Sequence, residues 1–234
     1  MDEQEFFTLN WEMSVDKKDA KKRADYVKKY VVKYNKHANK ILELGVGIGE
    51  VLVHFSKDYL VHGLDIEKEC IKICRKKMPN GKFLVASMHN FKIDEKFDVI
   101  FSAQDSLNFL ETFSKWESTF KNVHNHLIKN GLFIFDIYTP KVLKENKNKE
   151  VLEKVPAGFS YYKVNVKKNV LVFEEKIFEQ VIGKEKTYKL HEDKFNEIIW
   201  PVSKVKKALL KYFKIVETFN LNQGLRILFI CKKT

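Results

Sequence analysis

The sequence predicts an α/β protein organised on a doubly wound, mostly parallel β-sheet, with a small antiparallel β unit inserted late in the chain. Three observations carry this. A short apolar run at Ile41, Leu42 and Leu44 meets glycines at 45, 47 and 49, and an apolar helical pattern begins at Val51. Strand and helix patterns then alternate as far as Tyr138. From Phe159 to Ile198 the pattern changes to apolar and charged residues with period two, the mark of strands with one face in water.

The 234 residues suffice for one large domain, or for one domain with an insertion. Hydrophobic content of 44% and a mean hydropathy of −0.35 describe an ordinary globular chain. No apolar stretch approaches the roughly 20 residues of a membrane span. The acidic start MDEQEFF lacks the features of a signal peptide, so the expectation is a cytoplasmic protein without membrane association. Cys70, Cys74 and Cys231 form neither a disulfide framework nor a C-x-x-C pair. Cys70 and Cys74 share a helix face without further ligands nearby, so they read as small core residues and no metal site is expected. The formal charge of +12 comes almost wholly from lysine, because only Arg23, Arg75 and Arg226 are arginine. Lysines spread over nearly every helix fit a solvated surface better than a nucleic-acid interface, which ordinarily includes arginine.

In chain order, residues 1–13 carry Phe6, Phe7, Leu9, Trp11 and Met13, which either cap the core or close over a ligand. Ser14 to Lys36 has Ala20, Ala24, Val27, Val31 and Tyr34 at helical spacing. The glycine turn follows the first strand and leads into a helix whose unpaired N–H groups can meet a carboxylate or phosphate. Glycine suits the turn because a side chain would block it or keep a ligand from the backbone. A dinucleotide fingerprint would place its third glycine at position 50, where Glu50 stands. Tyr59 to Ile66 is a buried-strand run that reaches Asp65, about twenty residues past the first glycine, where a carboxylate accepts hydrogen bonds from ribose hydroxyls. Asp65 is also a sound N-cap for a helix over Glu67 to Met78. Pro79-Asn80-Gly81 turns the chain into a third strand, Lys82 to Ala86, and Phe97 to Ala103 is a fourth. Helix signals run from Glu111 to Ile128, Asn130-Gly131 ends that helix, and Leu132 to Tyr138 is a fifth strand. Lys141 to Lys154 reads as charged, helical or mobile. Asn169 and Gly183 mark turns between strands at Phe159 to Val166, Val170 to Val181 and Lys184 to Ile198. Pro201 opens a helix to Tyr212, and Phe213 to Asn220 with Leu225 to Lys232 form a last hairpin.

The stretch E-x-G-x-G-x-G over Glu43 to Gly49 resembles motif I of the class I S-adenosylmethionine-dependent methyltransferases. Ser87-Met88-His89-Asn90-Phe91 is similar to that family's segment after the third strand, and F-D-V-I…D-S-L-N-F-L (Phe97 to Leu110) to a subset acting on small molecules. Motif resemblance covers residues 40–138, and pattern alone covers 200–234. It implies a seven-stranded Rossmann-like sheet with an antiparallel last strand, formed by residues 1–139 and 199–234. Residues 140–198 would be an inserted β lid or a dimer surface, and the protein a monomer or homodimer. The implied cofactor is S-adenosylmethionine, with S-adenosylhomocysteine as product. Glu43, Gly45, Gly47 and Gly49 would hold its methionine part, Asp65 its ribose, and Met88 with Ser87 its adenine, with Ile66 and Gln104 completing the set. Ser87 departs from the family, where aspartate is common. An acid such as Glu43 would repel a pyrophosphate but suits an amino group. The absence of a D/N-P-P-Y or Pro-Cys motif counts against base methylation.

The implied reaction is methyl transfer to N or O of a small-molecule acceptor. Candidate acceptor-side residues are Asp105 and Tyr138, near the donor by topology, and His191, either a general base on the insert or a surface residue beside Glu192 and Asp193. Two other readings fit the residues: an enzyme of this fold acting on RNA or protein through a lysine-rich surface, and a non-catalytic S-adenosylmethionine-binding protein.

Overall fold

The structure is a computed structural model that describes residues 17–155, 158–181, 183 and 186–234. The expectations for the aromatic residues 1–13 lie outside these. The first described element is α1 (Lys17–Tyr34). It buries Ala20, Ala24, Val27 and Val31 of the stripe its spacing predicts, with Tyr30 in addition, while Tyr34 is half-buried. Then come β1 (Lys40–Leu44), β2 (Leu60–Asp65), α2 (Lys68–Lys77), β3 (Lys82–Val85), β4 (Phe97–Ser102), α3 (Phe113–His126) and β5 (Leu127–Tyr138). After the short α4 (Val142–Glu145) the chain forms β6 (Lys149–Val155), β7 (Gly158–Lys167), β8 (Val170–Gln180) and β9 (Tyr188–Ile198). It ends with α5 (Val202–Leu209), β10 (Phe213–Leu221) and β11 (Arg226–Lys233).

The seven-stranded sheet has the order β10-β11-β5-β4-β1-β2-β3. Its strands pair in parallel from β5 to β3, while β11 runs antiparallel to both β5 and β10. This is the predicted sheet, last strand included. The chain winds outward from β1 through β2 to β3, then returns to β4 on the other side of β1. The crevice at the carboxyl ends of β1 and β4 is therefore the topological switch point, where open α/β sheets bind ligands. The central strands are covered on both faces. Ile41, Val99, Phe101 and Ile134 pack under α1, and Leu42, Leu44, Ile100 and Phe133 pack under α3 and α5. The second sheet, order β6-β7-β8-β9, is wholly antiparallel.

Three local expectations are corrected. The turn after β1 leads not into an α-helix but into a 3₁₀ helix of four residues, Leu52–Phe55. Few residues separate the turn from β2, and Val51 and Val53 are β-branched. Asn130-Gly131 does not end α3, which stops at His126. It lies inside β5 as a bulge, with Asn130 at φ +63 and the register to β4 shifting between Phe97 and Val99. Lys149–Val155 is a strand, not a charged helix, and pairs with β7. Its charged residues face water along an edge strand, which hides the strand signal.

Candidate functional site

The glycine turn hangs from the end of β2. The N–H groups of Gly45 and Val46 both donate to Leu64 O, at 2.9 and 3.0 Å. Gly47 N donates to Asp65 Oδ2 at 2.8 Å, and Glu67 N to Asp65 Oδ1 at 3.0 Å. Asp65 thus holds the turn and the start of α2 together. The carboxylate expected to cap this helix does meet an N–H group at its start, although the N-cap position itself is Glu67. Gly45 and Gly47 sit at φ +68 and +50, where a side chain is strained. A Cβ at Gly45 would lie 2.8 Å from Ser106 Cβ, so that glycine lets the turns after β1 and β4 touch. A Cβ at Gly47 would meet nothing within 4 Å, because it points into open space. Gly49 turns the other way, toward Met78 and Cys74 of the α2 side, and packs the fold.

A cavity of about 270 Å³ opens beside this turn. Its walls include Gly45, Gly47, Asp65, Ile66, Ser87 and Met88, six of the nine residues expected to hold a cofactor. Glu43 and Gln104 line a smaller space of about 30 Å³ on the other side of Gly45 and Gly47. Glu43 is 2% exposed, and its Oε2 has no hydrogen-bond partner. Burial pushes its carboxyl well above the ordinary range, the neighbouring Asp65 charge adds to this, and a backbone hydrogen bond from Leu52 only partly offsets it. Burial likewise raises Asp65, against the hydrogen bonds from Glu67 and Gly47. Two carboxylates beneath an open glycine turn form a site for a cationic, hydroxyl-rich ligand. Ser87 is drawn aside, with its Oγ 2.7 Å from His89 Nδ1.

Gln104 and Asp105 both adopt left-handed conformations, at φ +60 and +54, immediately after β4. Single residues there cost on the order of 1 kcal/mol each and persist where the surroundings fix them. Here Asp136 fixes Gln104, whose N–H it accepts at 2.9 Å. Arg226 fixes Asp105 through a buried ion pair. Arg226 Nε also lies 3.1 Å from Asp136 Oδ2, an ion contact too poorly aligned to count as a hydrogen bond, and Arg23 reaches the same oxygen at 3.9 Å. Two of the chain's three arginines meet at this one carboxylate. Burial works against the Arg226 charge, but Asp105 and Asp136 outweigh it and hold the guanidinium firmly protonated. Tyr138 covers the Arg226 guanidinium, 4.8 Å from the ring centre. The Asp105 charge and burial together push the Tyr138 hydroxyl up.

The structure therefore brings Asp105 and Tyr138 together at the ligand edge, as expected. It does not bring His191 there. His191 is buried on β9, its Nε2 2.8 Å from Glu179, seven residues before the point where Asn108 anchors the strand end, roughly 23 Å along the strand. Sequence reasoning also passed over Ser106, Asn108, Glu197 and Arg226. Asn108 is fully buried. It donates to Ile198 O at 2.8 Å and accepts from Tyr138 N at 3.1 Å, so one side chain joins the turn after β4, the end of β5 and the end of β9. The scarcity of arginine was a signal for Arg226, and the D-S-L-N-F-L stretch contains Ser106 and Asn108.

Residues 41–131 match a family model described as a methyltransferase domain. A structure of an S-adenosylmethionine-dependent methyltransferase from Clostridium acetobutylicum superposes with a TM-score of 0.85, at 21% identity over 98% of both chains. DesVI of Streptomyces venezuelae superposes at 0.82, with 17% identity over 92% of both. The fold is that of the class I methyltransferases. By sequence the chain is similar to YqeM of Bacillus subtilis, named as a candidate methyltransferase, with 30% identity over 105 residues, 43% of this chain and 42% of that one. It is also similar to a dTDP-3-amino-3,4,6-trideoxy-alpha-D-glucopyranose N,N-dimethyltransferase of Streptomyces venezuelae, at 24% over 100 residues and 42% of each chain. These sequence matches span about half the length of the curated relatives or less.

Proposed function

We propose that the protein is an S-adenosylmethionine-dependent methyltransferase acting on N or O of a small-molecule acceptor. The observation that carries this reading is the buried Glu43 carboxyl, its Oε2 without a partner, beneath a glycine turn whose Gly47 faces open space, with Asp65 at the mouth of the adjoining cavity. A buried carboxyl oxygen left unpaired is costly by itself and suits the amino group of a methionine moiety. Glu43, Gly45, Gly47 and Gln104 would hold that moiety, Asp65 with Ile66 the ribose, and Met88 with Ser87 the adenine. Gly49 would shape the turn from behind. The bound group supplies an electrophilic methyl on a sulfonium, and the chain's part is to align an acceptor with it and keep water out. Asp105 and Tyr138 are on the side of the glycine turn where an acceptor would stand. Residues 140–198 would form an insert over that edge, tied down through Asn108. The names of the amino-sugar N,N-dimethyltransferase and of a sugar N-methyltransferase with the same fold support an amino sugar as acceptor.

The test is calorimetric titration with S-adenosylmethionine and S-adenosylhomocysteine on wild type, Asp65→Ala and Gly47→Val, followed by transfer of a labelled methyl group to pools of amino sugars and other small acceptors. Binding lost in both variants and label moved by the wild type support the reading. A folded wild type that binds neither compound overturns it.

A further inference from the structure

Glu197 is buried at 5% exposure, and its Oε2 has no hydrogen-bond partner. It is the next-to-last residue of β9, beside the Ile198 carbonyl that Asn108 grips. Alternation along the strand puts it on the same face as Phe195, which stacks on Phe109, a wall of the larger cavity, with ring centres 5.6 Å apart. That face of the insert is therefore turned toward the ligand edge. The groups that act on Glu197 come from separate elements: Asp105 from the turn after β4, Tyr138 from β5 and Arg226 from β11, and Arg226 in turn meets Asp136, which Arg23 of α1 also reaches. Leu171 is the partner of Glu197 across the β8–β9 ladder. Arg226 is already bound to Asp105 and in contact with Asp136, which leaves Glu197 as the carboxyl of the group without a cation of its own. Asp105 is flanked by Gln104 and Ser106, both of which line the small cavity above Glu43.

We propose that Glu197 recognises the acceptor, receiving its amino group at the unpartnered carboxyl oxygen and taking a proton from it. The inference rests on the methyltransferase reading and narrows its acceptor to an amine. An amine reaches a protein at neutral pH as an ammonium ion, which has no lone pair to donate. At Glu197 one N–H bond of the ammonium breaks with its electron pair staying on nitrogen, and an O–H bond forms on the carboxylate. The result is a neutral amine with a free lone pair and a neutral carboxyl. Burial first, and the Asp105 charge second, raise Glu197 well above the ordinary glutamate range, with Arg226 partly opposing, so the carboxylate is a stronger base than a surface glutamate. Asp105 is neutralised by Arg226, so the carboxyl left to meet an ammonium in this group is that of Glu197 itself.

The experiment uses the full chain as wild type, Glu197→Gln and Glu197→Asp. Glutamine keeps the shape of the side chain and removes its basicity, and aspartate keeps the carboxyl. Calorimetry with S-adenosylmethionine is expected to give the same affinity for all three. If the wild type itself does not bind, the methyltransferase reading fails, a separate outcome. With glucosamine, 3-amino-3-deoxyglucose and a pool of simple primary amines as probes, Glu197→Gln is expected to lose about a hundredfold or more in transfer rate and Glu197→Asp to keep part of it. The rising limb of the wild-type pH profile is expected to vanish in Glu197→Gln. Infrared difference spectra of wild type against Glu197→Gln need no acceptor, and should show a carboxyl that titrates at higher pH in the folded protein than after unfolding. The proposal is overturned by a Glu197 that titrates no higher folded than unfolded, or by a Glu197→Gln rate within about threefold of wild type. Transfer by a cofactor-binding wild type to hydroxyl groups alone, or to no amine at all, overturns it too.

Discussion

The two sheets are held in place by different means. In the seven-stranded sheet β1 and β4 are buried on both faces, between α1 on one side and α3 with α5 on the other. In β6–β9 the apolar anchor is smaller, a cluster around Val142, Val164, Leu171 and Ile199 with Phe195 stacked on Phe109, and many of the remaining described side chains face water. The join between the sheets includes the Asn108 amide and the stacking of Phe109 on Phe195, while Asn169, which grips Ile199 O at 3.1 Å, fastens the end of the smaller sheet to its own turn. A doubly covered sheet fixes its register through many contacts that substitute for one another. The smaller sheet has its position set by fewer contacts, among which the Asn108 bonds are the polar ones. The first arrangement tolerates sequence change, whereas the second can be undone at one residue.

The sharpest way to break the comparison is at Asn108. Asn108→Ala removes a fully buried side chain and leaves the Ile198 carbonyl and the Tyr138 N–H without partners, at a cost of about 2–4 kcal/mol. The loss should be regional. Hydrogen exchange is expected to speed up in β6–β9 and stay slow in β1 and β4, and equal acceleration in both sheets would contradict the division drawn here. Gly47→Val acts on the covered sheet. Its left-handed strain should cost about 1–2 kcal/mol without a clash, yet the side chain fills the space above Glu43. Chemical denaturation should find the protein folded while calorimetry finds S-adenosylmethionine affinity reduced at least tenfold.

Glu43→Gln tests the site from below. The folded value of Glu43 is raised above its unfolded value of 4.5, so the unliganded protein carries full stability from this group below pH 4.5 and loses it as pH rises through the folded value. Glu43→Gln should remove that decline and stabilise the unliganded protein by about 1–3 kcal/mol at neutral pH, while weakening cofactor binding. Thermal melts across that pH range would check both signs. The smallest effect is expected at His191, which is away from the ligand edge. His191→Asn should alter methyl transfer by less than about threefold, and a loss comparable to that at Glu197 would return it to the acceptor site.

The geometry around the glycine turn was legible in the sequence because it is local. Glu43 to Gly49, Asp65 and Ser87 to Met88 each follow directly on a strand, and each strand's carboxyl end falls on one edge by topology alone. The side proposed for the acceptor was only partly legible. Asp105 and Tyr138 follow the same rule, but Arg226 and Glu197 come to them from an antiparallel strand and from the insert. The registers of those elements depend on pairings distant in sequence, and no periodicity shows that Glu197 faces inward while the alternating charges of β9 face out. His191 was attractive because its chemistry is suitable, and chemistry says nothing about where along an eleven-residue strand a side chain falls. The 3₁₀ turn at Leu52–Phe55 escaped because apolar spacing over four residues does not distinguish one helix type from another.

Asn108 has a consequence for energetics as well as for structure. Its amide lies in the turn that follows the cofactor side of the edge, and it grips the strand that carries Glu197. A cofactor that stiffens the turn also stiffens the grip, lowering the ordering cost an acceptor would otherwise meet. Linkage makes this symmetric, so whatever factor one ligand adds to the affinity of the other it receives in return. Cutting that one amide should bring both factors to unity together, leaving two sites that fill independently in the same fold.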